Sequence, residues 1–423
     1  MRRSKMRKIA IFTSGLSLVS VSCLSSGARH SELPHVAVGS TESCVVNDAS
    51  AHCWGLRGHL QVVTSDGARL RTLQPGVFQL CGMTDAGRIF CSAEMVPNTM
   101  SLPHCRFVCL FPVEGDATLG ANGFSSGFYH ACALNETRTA FCWGSNSMGQ
   151  LGNGRRADND PHGSGGARVL RPEKVVGNHI WRHISAGEMH TCALTTDGEA
   201  YCWGYGQSGE LGRDTVMTYC SGPLPQTNEP CSVDRPVRVE TDVRFRTISA
   251  GMRLTCGISR DDDVYCWGNN YRCALGRCET NDSFRPSLIP LPRKAASVDA
   301  GYWFACATTR HSRAYCWGDN NYGQLGSLRT DEFGRCFNGG RCSPKPVEVS
   351  GNYRWKSVSA GEVHACGITV GGEVLCWGSI DRGRIPILGP VGYCLNNSKE
   401  WPDVACASRP IQVWPAQPMP NTR

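Results

Sequence analysis

The sequence predicts an all-β fold, a seven-bladed β-propeller of four-stranded blades stapled by disulfide bonds. Two cysteines nine or ten residues apart recur seven times along the 423-residue chain. Trp-Gly follows the second cysteine in six of these seven copies, and a small residue followed by glycine precedes most of them. Repeated units that each supply about four short strands are typical of propeller blades.

Each unit centres on a β-hairpin, which is clearest between Cys192 and Cys202. A three-residue loop, Thr196-Asp197-Gly198, with Gly198 in the left-handed conformation would place these cysteines directly opposite each other. Cysteines that face each other across two strands are close enough to form a disulfide. The first pair is one residue shorter, and a two-residue loop at Asp48-Ala49 restores the pairing. The hairpins therefore predict the disulfides Cys44–Cys53, Cys81–Cys91, Cys132–Cys142, Cys192–Cys202, Cys256–Cys266, Cys306–Cys316 and Cys366–Cys376.

Two further strands belong to each unit. One ends in the small-residue–glycine turn, as in Ile248-Ser249-Ala250-Gly251, and one opens with proline, as in Arg235-Pro236-Val237-Arg238-Val239. Proline at a strand start is typical of a sheet edge. No such strand precedes the first hairpin, whereas Arg409-Pro410-Ile411-Gln412-Val413 stands near the end of the chain. We therefore expect the C-terminal strand to complete the first blade and close the ring by pairing with the N-terminal repeat. The second blade, between Leu60 and Ser92, should be irregular because Cys91-Ser92-Ala93 replaces Cys-Trp-Gly.

The repeated motifs resemble the repeat of the regulator of chromosome condensation family. The resemblance lies in the run Ser-Ala-Gly-x-x-His-x-Cys-Ala-Leu, the Thr-Asp-Gly turn, Tyr-Cys-Trp-Gly and Gly-Gln-Leu-Gly, and it extends from about Pro34 to Val413. It implies a seven-bladed propeller, in agreement with the seven hairpins. The founding member of the family promotes nucleotide exchange on a small GTPase, but similarity of fold alone does not transfer that activity.

The N-terminus is typical of a secretory signal. The basic segment Met1–Lys8 precedes an apolar stretch that ends at Ser22 and is too short to span a bilayer. Cys23 follows Ser20-Val21-Ser22, which resembles a bacterial lipoprotein signal with Ser20 in place of the usual leucine. The alternative is ordinary cleavage after Ala28. We expect a lipoprotein-type signal peptide at 1–22, a tether at 23–34, the propeller at 35–414 and a tail at 415–423. The protein would then be a secreted bacterial lipoprotein of the outer membrane or cell surface, acylated at Cys23, or otherwise periplasmic or extracellular.

The cysteine count supports export. The chain has 25 cysteines, of which the hairpins use fourteen. Cys23 is left over, either acylated or removed, once the remaining ten are paired within inserts. These pairs are Cys105–Cys109, Cys220–Cys231, Cys273–Cys278, Cys336–Cys342 and Cys394–Cys406. Twelve disulfides fit an oxidising compartment. We predict no metal and no cofactor, since no Cys-x-x-Cys occurs in the sequence.

The charge argues against a nucleic-acid partner. The formal net charge is +7, but five basic and no acidic residues lie within the first 22 positions. The rest of the chain has 38 basic and 36 acidic residues, a net charge of +2. Such a balance lacks the electrostatic attraction on which nucleic-acid binding depends.

Four inserts near the C-terminal half predict a binding surface. They are Arg213–Asp234, Arg277–Phe284, Ser327–Pro344 and Pro390–Ser408, and each contains or borders a predicted cysteine pair. Equivalent positions of a propeller project on one face, so the stapled loops would form a preorganised surface. The alternative is that the staples only stabilise long loops outside the cell. The candidate contact residues are Met217, Tyr219, Phe333, Phe337, Tyr393 and Trp401.

These features favour a lipid-anchored, monomeric module that binds or inhibits another protein, with a glycan as the less favoured partner and membrane contact only through the lipid. The alternative is an envelope enzyme with its site in the central channel. We predict no enzyme and assign no catalytic residue, because His-Glu-x-x-His and a phosphate loop are absent from the sequence. Nucleotide exchange is disfavoured because export separates the chain from cytosolic GTPases. The repeated His130, His190 and His364, like the Trp-Gly tryptophans, are predicted to have structural roles.

Overall fold

In a computed structural model of the protein, the described residues are 34–40, 42–47, 50–55, 58–76, 79–92, 107–113, 119–120, 122–156, 169–214, 232–278, 281–328, 334–336, 340–381, 384–385, 392–394 and 404–414. All of them belong to the larger of two compact units, Leu33–Arg423. The predicted signal peptide, Cys23, the tail and the loop Asp48-Ala49 lie outside the described residues. Within the described part of the chain, no helix has the length and apolar character needed to cross a membrane.

The fold is all-β, and seven four-stranded blades follow one another along the chain in a ring. Blade one contains β1 (His35–Val38), β2 (Glu42–Val46), β3 (Ala51–Gly55) and β4 (Gly58–Thr64). Blade two contains β5 (Leu70–Pro75), β6 (Leu80–Thr84), β7 (Ile89–Ser92) and β8 (Phe107–Pro112). Blade three contains β9 (Gly123–Ser126), β10 (His130–Leu134), β11 (Ala140–Gly144) and β12 (Val169–Lys174). Blade four contains β13 (Trp181–Ala186), β14 (His190–Thr195), β15 (Ala200–Tyr205) and β16 (Ser232–Arg238).

The last three blades carry short additional elements. Blade five contains β17 (Phe245–Ala250), β18 (Leu254–Ser259), β19 (Val264–Gly268), the 3₁₀ turn η1 (Tyr271–Cys273) and β20 (Ser283–Ile289). Blade six contains β21 (Ala295–Ala300), β22 (Phe304–Thr309), β23 (Ala314–Asp319), β24 (Gly334–Arg335) and β25 (Arg341–Glu348). Blade seven contains β26 (Trp355–Ala360), β27 (His364–Thr369), β28 (Val374–Ser379), β29 (Gly392–Cys394) and β30 (Val404–Trp414).

The central hairpins have the register predicted from the cysteine spacing. Cys192 lies opposite Cys202 in blade four, and Cys44 lies opposite Cys53 in the shorter first hairpin. Gly198 has a φ of +81°, and a Cβ there would lie 2.6 Å from a carbonyl oxygen of the next blade. Glycine meets both requirements of this tight loop.

The structure places the sulfur atoms of all seven hairpin pairs, and of Cys273–Cys278 and Cys336–Cys342, at bonding distance. Cys105, Cys220 and Cys231 lie outside the described residues, and the side chain of Cys394 is not described. The pairs Cys105–Cys109, Cys220–Cys231 and Cys394–Cys406 therefore stay predictions.

The expected pairing of the C-terminal strand with the first blade is wrong. β30 pairs antiparallel with β28 of blade seven, where Ile411 lies opposite Cys376. The first blade has its own outer strand, β4, which pairs with β3. The reason is general, because each proline-opened strand pairs with the hairpin that precedes it, as β16 does with β15. The segment Gly58–Thr64 therefore belongs to blade one, and Phe107–Pro112 belongs to blade two.

The ring closes by packing between blades seven and one. Trp54 and Val36 of blade one share a buried hydrophobic cluster with Ile368 of blade seven. The Val38 backbone N–H donates a hydrogen bond of 3.1 Å to Ser359 Oγ across the same junction. No shared strand is needed, because apolar burial and hydrogen bonds connect the two blades.

Blades one and two differ from the other neighbours in being joined along their outer edges. β4 pairs in parallel with β8, with Gln61 opposite Phe107, and the two blades form one eight-stranded sheet. The second blade, expected to be irregular, therefore departs from the repeat at its outer strand as well as at Cys91-Ser92-Ala93.

Candidate functional site: the turn face

Two loops from each regular repeat lie on one face of the propeller. The first is a two-residue turn after the inner-strand glycine, such as Glu188-Met189, and the second is the loop after Trp-Gly. Tyr205 N donates to Met189 O at 2.8 Å, and Asp319 N donates to Trp303 O at 2.9 Å, so the two loops are tied together. Three of the predicted inserts, Arg213–Asp234, Arg277–Phe284 and Ser327–Pro344, begin in these second loops and hence on the same face. We define the turn face as the turns 128–129, 188–189, 252–253, 302–303 and 362–363 with the loops 145–156, 205–214, 269–278 and 319–328.

Glycine at the start of each turn lets neighbouring blades approach closely. A Cβ on Gly187 would lie 2.4 Å from the Gly251 carbonyl oxygen, and one on Gly251 would lie 2.2 Å from that of Gly301. Real Cβ atoms do not come so near to a carbonyl oxygen. The turns are therefore held against one another around the mouth of the central channel.

The second loops are fixed by buried side chains. In blade three, Asn146 Oδ1 accepts a hydrogen bond of 3.1 Å from Leu151 N, and Gln150 Oε1 accepts one of 2.8 Å from Met148 N. Trp203 of the next blade donates its indole N–H to the Gln150 carbonyl at 2.9 Å. Each loop is thus anchored in its own blade and in the next, which makes the face rigid.

The repeated histidines and tryptophans have the structural roles predicted from the sequence. Each histidine makes a buried hydrogen bond to a hydroxyl group of the next blade: His130 to Thr191 at 2.7 Å, His190 to Thr255 at 2.9 Å and His364 to Ser43 at 2.8 Å. Three further indoles repeat the Trp203 contact: Trp267 to Glu210 O, Trp317 to Ala274 O and Trp377 to Gln324 O. These side chains join blades.

Partly exposed aromatic side chains occupy the centre of the turn face. The Tyr302 and Trp303 rings lie 4.1 Å apart, and Tyr271 of the neighbouring loop lies 5.0 Å from Trp303 in an edge-on arrangement. The Arg253 guanidinium lies 5.4 Å from the centre of the Tyr205 ring. All five side chains are half-buried, so each presents part of its surface to solvent on a rigid support.

Charges on the turn face interact across the channel mouth. Burial raises the pKa of Glu188 to about 7, and the Glu362 carboxylate acts in the same direction while Arg253 opposes it. Glu362 accepts a hydrogen bond of 2.6 Å from Ser40 Oγ, and Arg384 lies 3.4 Å from the same oxygen. Burial beside both glutamates raises the pKa of Tyr302 to about 12, so this phenol stays a hydrogen-bond donor at neutral pH. The face therefore combines cationic, anionic and neutral polar groups.

The central channel is a cavity of about 410 Å³ lined by the innermost strand of every blade. Its polar groups hold blades together, since Ser185 Oγ accepts a hydrogen bond of 2.9 Å from Ala250 N and Asp299 Oδ2 accepts one of 2.9 Å from Ala360 N. Burial raises the pKa of the Asp299 carboxyl group. We assign these groups to the joints between blades and not to chemistry.

Most of the predicted contact residues fall outside the described part of the chain. This holds for Met217, Tyr219, Phe333, Phe337 and Trp401, while Tyr393 is described only as backbone in β29. Sequence reasoning missed the central residues of the turn face. The sequence does contain a signal for them, at the two positions between glycine and histidine in Gly-x-x-His. These positions hold Phe128-Tyr129, Glu188-Met189 and Glu362-Val363, and the equivalent positions of the other repeats hold Met252-Arg253 and Tyr302-Trp303. These positions vary within an otherwise uniform repeat and are rich in aromatic and charged residues.

The fold and this rigid face define a propeller scaffold of the kind that serves as a protein-binding module. The regulator of chromosome condensation (RCC1) repeat profile matches residues 139–194, 197–258, 261–308 and 312–368, and a second RCC1 repeat profile matches 123–150, 181–210, 245–272, 295–324 and 355–384. These matches cover more than half of the chain, which belongs to the RCC1 repeat family.

The alignment with each similar protein covers only part of that protein's length. The chain is 28% identical over 165 residues to the ultraviolet-B receptor UVR8 of Arabidopsis thaliana, covering 38% of this chain and 32% of UVR8. It is 27% identical over 276 residues to the mitochondrial RCC1 domain-containing protein RUG3 of the same plant, covering 64% of this chain and 57% of RUG3. The crystal structure of Prp20p from Saccharomyces cerevisiae, described with its binding to Gsp1p and histones, has a TM-score of 0.60 at 18% identity over 77% of this chain and 80% of Prp20p. This last likeness shows the shared fold.

Proposed function

We propose that this protein is an exported module that binds another protein through the turn face. The observation that carries the proposal is the half-buried group of Tyr271, Tyr302 and Trp303, together with Arg253 over the Tyr205 ring. Aromatic and arginine side chains on a rigid support are typical of the residues that dominate binding energy at protein interfaces. The binding of Prp20p to Gsp1p and histones supports a protein as the partner class.

In this proposal the inserts contribute to the same binding surface as the aromatic group. Three of them begin in loops of the turn face, and the Cys273–Cys278 pair borders the second insert while the Cys336–Cys342 pair lies within the third. Stapled loops lose little conformational entropy on binding, which favours affinity. The candidate residues on the inserts would supply the outer contacts, and Tyr302 and Trp303 would supply the central ones.

Matched variants on opposite faces test the binding surface. The oxidised chain is immobilised, proteins of the cell envelope and medium are passed over it, and the affinity of any retained protein is then measured for Trp303→Ala and Ile180→Ala. Ile180 is 57% exposed and lies at the opposite end of blade four, beside the hairpin loop. We expect Trp303→Ala to weaken binding by roughly tenfold or more, as truncation of a central interface aromatic does, and Ile180→Ala to leave it unchanged. Equal affinities for Trp303→Ala and the parent chain would contradict the proposal.

The proposal includes lipid anchoring at Cys23 and a monomeric propeller. Metabolic labelling with a fatty acid tests the first part, because Cys23→Ser should abolish incorporation while substitution of the exposed Cys278 should not. Labelled protein that persists in Cys23→Ser would refute acylation at this residue. Light scattering of the purified propeller measures the oligomeric state.

A further inference from the structure

Four cysteines meet between blades five and six. Cys273 and Cys278 belong to the loop after β19, and Cys336 and Cys342 belong to the insert that leads into β25. Cys273 Sγ lies 3.3 Å from Cys342 Sγ, and Cys278 Sγ lies 4.0 Å from it. Cys273, Cys336 and Cys342 are buried together, whereas Cys278 is exposed. Two disulfides are therefore in contact, and one of them includes an exposed cysteine.

We propose that Cys278 is a site of modification by small thiols and that its modification creates a disulfide between blades five and six. A low-molecular-weight thiolate attacks Cys278 Sγ, forms a mixed disulfide there and releases Cys273 as a thiolate. The Cys273 thiolate attacks Cys342 Sγ, forms a Cys273–Cys342 bond and releases Cys336, which takes up a proton from water. Each step exchanges one S–S bond for another, so no oxidant or reductant is consumed.

Exposure decides which sulfur is attacked first. Access to the sulfur governs thiol–disulfide exchange, and Cys278 is exposed whereas Cys273 is only 4% exposed. Attack at Cys278 makes Cys273 the leaving group. The released thiolate is then held 3.3 Å from Cys342, a buried neighbour, so the second step is intramolecular.

The surroundings favour release of Cys273. Arg272 and Cys273 have φ angles of 62° and 63°, so two successive non-glycine residues occupy the left-handed region. Such conformations are strained and persist only while neighbouring structure enforces them. Opening the Cys273–Cys278 loop removes one of those constraints.

The product would connect a loop of the turn face in blade five to the insert of blade six. η1 lies in the loop after β19, and Cys342 is the second residue of β25 in the next blade. The new disulfide would connect two blades, whereas each of the two disulfides that it replaces lies within a single blade. This inference stands apart from the proposed function, because it concerns sulfur chemistry that can be observed without any partner.

The first experiment uses the full oxidised chain with Cys278→Ser, which frees Cys273 without an added thiol. Free thiols are alkylated, and disulfides are mapped by proteolysis and mass spectrometry under non-reducing conditions. We expect the Cys273–Cys342 peptide to replace the Cys336–Cys342 peptide, with at least tenfold more label on Cys336 than on Cys273. The control is Cys202→Ser, in which the freed Cys192 contacts the Thr255 hydroxyl at 3.9 Å and should keep the label.

The second experiment treats the unaltered chain with glutathione. We expect the adduct on Cys278 together with the Cys273–Cys342 bond and a free Cys336. Label that remains on Cys273 in Cys278→Ser, with Cys336–Cys342 intact, would overturn the proposal. If that variant does not fold, a glutathione adduct on Cys278 without any Cys273–Cys342 bond would overturn it equally.

Discussion

Glu210 is a buried carboxyl group in a position that other blades give to glutamine. Ser208 N donates a hydrogen bond of 2.8 Å to Glu210 Oε2, and the equivalent N–H groups donate to the side-chain oxygens of Gln150 and Gln324 at 2.8 Å. Glu210 Oε1 is buried without a hydrogen-bond partner among the described residues. Burial raises the pKa of Glu210 to about 8, so the group is neutral at pH 7.

We expect Glu210→Gln to stabilise the protein at and above neutral pH. The unfolded glutamate ionises near its ordinary pKa of 4.5, whereas the folded one keeps its proton to about pH 8. The unfolded state therefore binds fewer protons in this window, and stability that is complete below pH 4.5 is lost as the pH rises towards 8. Since one pKa unit corresponds to about 1.4 kcal/mol, the loss is about 3 kcal/mol at pH 7 and about 5 kcal/mol above pH 8. Glutamine keeps the bond from Ser208 and removes the titration.

Urea unfolding of the disulfide-intact protein between pH 4.5 and pH 9 measures this difference. The gain from Glu210→Gln should be near zero at pH 4.5 and should increase with pH up to about 8. Glu136→Gln, at an exposed loop position, is the matched control and should show no such trend. A gain that is the same at pH 5 and pH 8 would refute the assignment of a neutral, buried carboxyl group to Glu210.

Three further predictions follow from the packing of the ring. Gly251→Ala should destabilise the propeller by about 3 kcal/mol or more in thermal melts, because the new Cβ would lie 2.2 Å from a carbonyl oxygen. The control Gly371→Ala should be nearly neutral, because the nearest atom to its Cβ is a hydroxyl oxygen at 3.6 Å. Deleting residues 404–423 should uncover the edge of β28 and cause aggregation on size-exclusion chromatography, while deleting 415–423 alone should not. Burial lowers the pKa of His190 from 6.5 to about 4, so its contribution to stability is complete above pH 6.5 and is lost as the pH falls towards 4. His190→Phe, which copies Phe304 of blade six, should therefore lose about 3 kcal/mol less stability than the parent chain between pH 7 and pH 4 in urea unfolding.

The hairpins could be predicted from sequence because two local rules agree there. The spacing of Cys192 and Cys202 fixes which residues face each other, and Gly198 fixes the loop that permits it. The shorter pair Cys44–Cys53 obeys the same geometry. Local chemistry is sufficient when the contacts that define an element are close in sequence.

The assignment of each proline-opened strand could not be made in this way. Such a strand lies between two hairpins in sequence, and its alternation of apolar and polar residues would fit the edge of either hairpin. β16 pairs with β15, which precedes it, because both the end of β15 and the start of β16 lie on the turn face. This is a property of the three-dimensional blade, and it reversed the expected role of Arg409–Val413. The turn-face residues were missed for a similar reason, since Arg253 and Tyr302 come together only when the ring brings their blades side by side.

The junction between blades one and two shows how one ring tolerates an unequal repeat. At six junctions a side chain near the end of the inner strand accepts a hydrogen bond from a backbone N–H of the next blade: Ser359 from Val38, Gln74 from Ser126, Ser125 from Ala186, Ser185 from Ala250, Ser249 from Ala300 and Asp299 from Ala360. The seventh junction has Ala37 and Pro75 at these positions, and alanine has no side-chain acceptor while proline has no backbone N–H. This is the junction at which β4 and β8 pair in parallel along the outer edge. Between these two blades, strand pairing at the outer edge therefore takes the place of the hydrogen bond beside the channel. The blade with the least regular sequence is thus still connected to both of its neighbours.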